Sequence, residues 1–88
     1  MYPTKYVVVK HLDNGMETPY IFPNFITHSD FARDVGYGSH VVSAGFCYID
    51  KDLSFVAHGK SVSLKVASRP DEDSKLLTRW LTGGGNVF

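Results

Sequence analysis

Val41-Val42-Ser43-Ala44-Gly45-Phe46-Cys47-Tyr48-Ile49, Leu53-Ser54-Phe55-Val56-Ala57 and Ser61-Val62-Ser63-Leu64-Lys65-Val66 are three runs separated by Asp50-Lys51-Asp52 and Gly59-Lys60. Their β-branched and aromatic residues favour the pleated surface of a strand. The segments therefore read as an antiparallel meander. Suppose two-residue turns at Lys51-Asp52 and Gly59-Lys60. Tyr48 then faces Phe55, Phe46 faces Ala57, Phe55 faces Leu64 and Leu53 faces Val66. One face collects Val42, Ala44, Phe46, Tyr48, Leu53, Phe55, Ala57, Val62, Leu64 and Val66. A slip of one residue would scatter that set, because side chains alternate with period two. The opposite face carries Val41, Ser43, Gly45, Cys47, Ile49, Val56, His58, Ser61, Ser63 and Lys65.

Working outward, Tyr6-Val7-Val8-Val9 and Tyr20-Ile21-Phe22 read as two further strands joined at Asn14-Gly15, a strong hairpin signal. With Asn14 and Gly15 as the loop, Val9 faces Tyr20 and Val7 faces Phe22, all four on one face. Pro19 and Pro23 lack an N–H, which marks the second strand as short or as a sheet edge. Thr27 is the expected N-cap of a short helix, with Asp30 in its first turn. Ile26 and Phe31 staple its start, and Gly36 closes it. The last element is a helix over 70–82. Pro70 and the acids Asp71-Glu72-Asp73 suit its first turn, and Leu76, Leu77, Trp80 and Leu81 form one apolar stripe, with Gly83 as the cap. The predicted order is β-β-α-β-β-β-α, an α+β domain with an antiparallel sheet and both helices on one face.

The 88 residues suffice for one domain, with 83–88 as a flexible tail. Nine basic residues balance nine acidic ones, and 43% of the chain is apolar. That excludes a disordered tail and a general nucleic-acid coat, which needs surplus Lys and Arg. The single cysteine, Cys47, allows no internal disulfide. There is no signal-peptide pattern and no apolar run of membrane length. The expected setting is the cytoplasm.

None of the chemical motifs reaches a catalytic constellation. Cys47 has only Gly45, Ile49 and Val56 as same-face neighbours in the expected register, and none of them can activate a thiol. His11, His28, His40 and His58 lack metal-ligand spacing. Gly36-Tyr37-Gly38-Ser39-His40 follows a helix and opens a strand, the reverse of a phosphate loop. No Gly-x-Ser-x-Gly elbow occurs. The order from Thr27 onward resembles double-stranded RNA-binding domains in topology. Those grip phosphate with a basic cluster where this chain has Asp71-Glu72-Asp73, so nucleic acid is not an expected partner. No cofactor is implied.

Val41–Ile49 and Gly59-Lys60-Ser61-Val62-Ser63-Leu64 resemble small uncharacterised proteins encoded by bacteriophages. That resemblance implies binding to a host protein, in the host cytoplasm, rather than catalysis. The expectation is a small non-catalytic interaction protein that could also self-associate. Its expected surface is Tyr37, His40, Val41, Ser43, Cys47, Ile49, Val56, His58, Lys60, Ser61, Ser63 and Lys65. An apolar strip rimmed by Ser, His and Lys has the make-up of an interface. The alternatives are a small-ligand or nucleotide pocket near Tyr37, His40 or the 58–60 turn, and a small hydrolase using His40 or His58.

Overall fold

The computed structural model describes residues 4–35 and 39–81. β1 (Thr4–His11) and β2 (Glu17–Phe22) form the N-terminal hairpin, followed by α1 (His28–Val35). β3 (Ser39–Ile49) and β4 (Phe55–His58) form a second hairpin. β5 (Lys60–Ser61) and β6 (Val66–Ala67) pair as a two-stranded sheet, and α2 (Pro70–Leu81) ends the described chain. The main sheet is antiparallel throughout, in the order β2-β1-β3-β4. The α+β class and the antiparallel sheet are as expected.

The helices do not share a face. β1 runs through the middle of the sheet, and Tyr6, Val7, Val8 and Val9 are each 0% exposed. Tyr6 and Val8 join Cys47, Phe55, Ala57 and Leu77 in a core under α2. Val7 and Val9 join Phe22 and Ala44 in a second core, against which Ile26, Phe31, Leu64 and Val66 pack. The sheet is thus covered on both sides, by α2 on one and by α1 with the β5–β6 hairpin on the other.

Three registers depart from the sequence reading, each for a local reason. In the first hairpin Val7 pairs with Tyr20 and Val9 with Thr18, two residues from the expected match. Gly15 (φ 73°) donates to the His11 carbonyl, so the loop spans Leu12–Gly15. A two-residue slip preserves the face, and Val7, Val9, Tyr20 and Phe22 still pack together. In the β3–β4 hairpin Cys47 pairs with Ala57 and Tyr48 with Val56, a slip of one. Asp50 N–H donates to the Ser54 carbonyl, and Leu53 adopts φ 66°, making a three-residue loop with a left-handed third position. Asp52 Oδ1 accepts from both the N–H and the hydroxyl of Ser54. The odd slip turns Phe55 and Ala57 toward α2, leaves Phe46 on the α1 side, and puts Leu53 in the loop. The expected ten-residue face is scattered.

The third departure is Ser61–Val66, which is not one strand. Ser61 Oγ accepts from Leu64 N–H, Val62 C=O accepts from Lys65 N–H, and Lys65 adopts φ 57°. The alternating segment folds into a tight turn with Val62 80% exposed. A bulge opposite Val8 and Val9 makes Val42 the extra residue of β3 and sends it to the α2 core.

The β4 edge is closed by α2, and the β2 edge lacks one outward donor. β2 is an edge strand, as its prolines predict. The ladder bond from His11 N–H to Met16 C=O sets the phase, so that the nitrogen of Pro19 points away from β1. On β4 the outward amides of Phe55 and Ala57 donate to Thr78 Oγ1 and Ser74 Oγ of α2, each at 2.8 Å. Four helical residues rise about 6.0 Å and two strand residues about 6.6 Å, so the hydroxyls meet alternate amides in step.

Candidate functional site

On the α1 side a cleft of about 240 Å³ is lined by Lys5, Thr27, His28, Phe46, Lys60, Val62 and Ser63. Three chain segments meet there. Thr27 caps α1 as expected, its Oγ1 accepting from Asp30 N–H at 3.1 Å. Ser29 N–H donates to Ser63 Oγ at 3.2 Å, tying the β5–β6 turn to the helix start. Lys5 Nζ donates to the Ile26 carbonyl at 2.9 Å.

His28 forms the floor and is 3% exposed. Its Nε2 lies 2.8 Å from the Gly45 carbonyl, which can only accept, so Nε2 carries the proton. Burial lowers the pKa of His28 from the usual 6.5; the carbonyl opposes this and Lys5 adds to it. The ring is neutral as a result. It meets Phe22 and Phe46 edge-on, at centroid distances of 5.4 and 5.7 Å. Phe46 stacks at 6.1 Å on His58, which meets Tyr48 at 5.7 Å. A row of rings therefore runs from the buried Phe22 to the exposed Tyr48.

Of the expected surface residues, His58, Lys60 and Ser63 come together at this cleft and ring row. Lys65 is exposed in the adjoining turn. Ile49 is exposed at the end of β3, and Val56 is half-buried beside Tyr48. The others do not belong to one surface. Ser43 and Cys47 are fully buried on the α2 side, Ser61 is buried in the turn, and Val41 packs into the second core. His40 lies opposite Lys10, at the other end of the sheet. Tyr37, Gly36 and residues 82–88 lie outside the described residues. The outer strip expected from the meander is therefore covered, and burial pushes the Cys47 thiol up to about 11.

The sequence reading missed Lys5, Thr27, His28, Phe46, Tyr48 and Val62 as parts of one region. A signal for His28 exists. His28, Phe31 and Ala32 recur at i, i+3 and i+4, which turns the histidine inward with the helix's apolar stripe.

A second polar assembly lies under α2. Asp73 is 0% exposed. Its Oδ2 accepts from the Tyr6 hydroxyl at 2.5 Å and from Arg69 N–H at 2.9 Å, and its Oδ1 pairs with the Arg69 guanidinium at 2.9 Å. Arg69 also grips Glu17 of β2 at 2.8 Å. Burial and the Asp73 bond raise the Tyr6 pKa. The Glu17 bond, reinforced by Asp73, raises that of Arg69. This assembly clamps the start of α2 onto β1 and β2. Among the described residues no group of three or more His, Cys, Asp or Glu could hold a metal, and no helix is long and apolar enough to cross a membrane. Compared with protein-family models, curated proteins and solved structures, the chain matches none of them.

Proposed function

We propose that this chain is a small non-catalytic binding protein that works by contact with a protein partner where β3 meets β4. The observation that carries this reading is the exposure of three large apolar side chains at the tip of this hairpin, Tyr48 at 48% on the α1 side, Ile49 at 51% on the α2 side and Leu53 at 67% in the loop between them. Asp50, Lys51, Asp52 and His58 rim them, all exposed. An apolar centre with a polar rim has the make-up of an interface. In the bacteriophage context implied by the resemblance, the partner is a protein of the host cell.

A photo-reactive amino acid placed at Tyr48, and at Asp13 on the opposite end as a control, tests this in cells. The expected result is one adduct of defined mass at position 48, absent at 13 and abolished by Ile49→Asp. An adduct of twice the chain's mass assigns the surface to self-association instead. No adduct above the Asp13 background removes the reading. A small-ligand reading is favoured by a separate observation, the cleft between Lys5 and Lys60.

A further inference from the structure

The chain is neutral overall, yet its charges are sorted. Arg69 draws Glu17, Glu72 and Asp73 together at the start of α2. The cleft on the opposite side of the sheet holds Lys5 and Lys60 and has no carboxylate in its walls. Among the described residues, neither ammonium has a carboxylate within ion-pair distance. The neighbouring depression, lined by Lys60 and Lys65, has none either. Two like charges brought to one cleft by β1 and β5 repel each other unless an anion lies between them.

The two hydroxyls are donors as well, while the neutral ring of His28 keeps Nδ1 as an acceptor at the floor. Thr27 Oγ1 and Ser63 Oγ each accept a backbone N–H, which leaves the hydroxyl protons to be given away. Their nearest hydroxyl neighbours stand at 3.3 and 3.5 Å, long for O–H···O bonds. Lys5 uses one of its three donors on Ile26 and retains two. Phe46 and Val62 supply an apolar wall. Pockets for drug-sized molecules start at about 300 Å³, so this cleft of about 240 Å³ suits something smaller.

We propose that this cleft binds a small phosphomonoester, with the phosphate between Lys5 and Lys60 and the organic body against Phe46 and Val62. A phosphomonoester carries about −1.5 to −2 charges at neutral pH and three acceptor oxygens. That matches two ammonium groups and two hydroxyls. A carboxylate or a phosphodiester, with one charge, leaves one lysine uncompensated. The site is independent of the partner contact at Tyr48 and Ile49.

The test is a ¹⁵N NMR titration of the full chain with phenyl phosphate, with inorganic phosphate and phenol as the two halves of that probe. The expected result is saturable shifts centred on the amides of Thr27–Ser29 and Lys60–Ser63. Phosphate binds more weakly and phenol gives no saturation. Lys60→Ala, at an exposed position, weakens phenyl phosphate about tenfold, the loss of one charged contact. Lys75→Ala, exposed on α2, changes nothing, and Ile49→Asp leaves this titration intact while abolishing partner contact. Absence of saturable shifts in the unmodified chain overturns the proposal. So do equal losses in Lys60→Ala and Lys75→Ala, saturation by phenol alone, or tighter binding of a single-stranded oligonucleotide than of phenyl phosphate.

Discussion

Replacing Asp73 with alanine should cost far more stability than replacing its neighbour Asp71, although both acids sit in the first turn of α2. Asp71 is exposed, so its removal forfeits only a helix-dipole interaction of about 0.3–1 kcal/mol. Asp73 is fully buried between the Tyr6 hydroxyl and Arg69. Breaking a buried charged pair by removing one partner costs about 3–5 kcal/mol, because the surviving groups stay buried without compensation. At about 4–8 °C per kcal/mol for a domain of this size, Asp73→Ala lowers Tm by at least about 12 °C. Urea unfolding, with the midpoint and the slope m fitted separately, measures the loss directly. Tyr6→Phe, which removes a hydrogen bond to a charged group, costs about 1.5–3 kcal/mol. In the Asp73→Ala background the same change costs much less, and the cycle yields the coupling. Should Asp73→Ala fail to fold, Tyr6→Phe alone carries the test. Losses for Asp73→Ala within about 0.5 kcal/mol of those for Asp71→Ala, the usual scatter for surface positions, would refute the reasoning.

Three further outcomes follow from other parts of the fold. Because burial lowers the His28 pKa from 6.5, the unfolded chain binds the proton first as pH falls. Stability is therefore full above about pH 6.5 and declines below it toward the folded-state value, and His28→Gln flattens that slope in urea titrations at stepped pH. A Cβ at Gly45 would stand 2.5 Å from the His58 carbonyl oxygen. Gly45→Ala thus lowers stability by about 1–3 kcal/mol or more in thermal unfolding, and an unchanged Tm would contradict the packing. Ser74→Ala with Thr78→Ala uncaps the Phe55 and Ala57 amides, costing about 1–3 kcal/mol together and promoting association seen by light scattering.

Local chemistry was legible where one residue decides a feature. Thr27 and Pro70 mark the helix starts, and Pro19 marks an edge strand. The β1–β2 face survived an error in loop length because two residues restore the alternation. The β3–β4 faces did not, because the extra loop residue is Leu53, whose left-handed conformation is rare for leucine and carries no sequence signal. Lys65 hides the same way inside an alternating pattern. His58, Lys60 and Ser63 could be marked as surface residues from their place near a turn. Lys5 and His28 could not be joined to them, since tertiary packing alone brings β1 and α1 to that turn. Asp73 was read as a helix-start acid, and that role is satisfied equally well by an exposed side chain.

The hydroxyls of Ser74 and Thr78 impose an order on biosynthesis. Every strand of the main sheet leaves the ribosome before α2 does. Until α2 emerges, the outward amides of β4 have only water as a partner, and the apolar flank of Tyr6, Val8, Cys47 and Phe55 has no lid. A chain in which α2 is missing or undocked can therefore add strands from a neighbour along β4, and docking of α2 ends that. A chain truncated after Ala67 should aggregate, and a peptide spanning Pro70–Leu81 added in trans should suppress it.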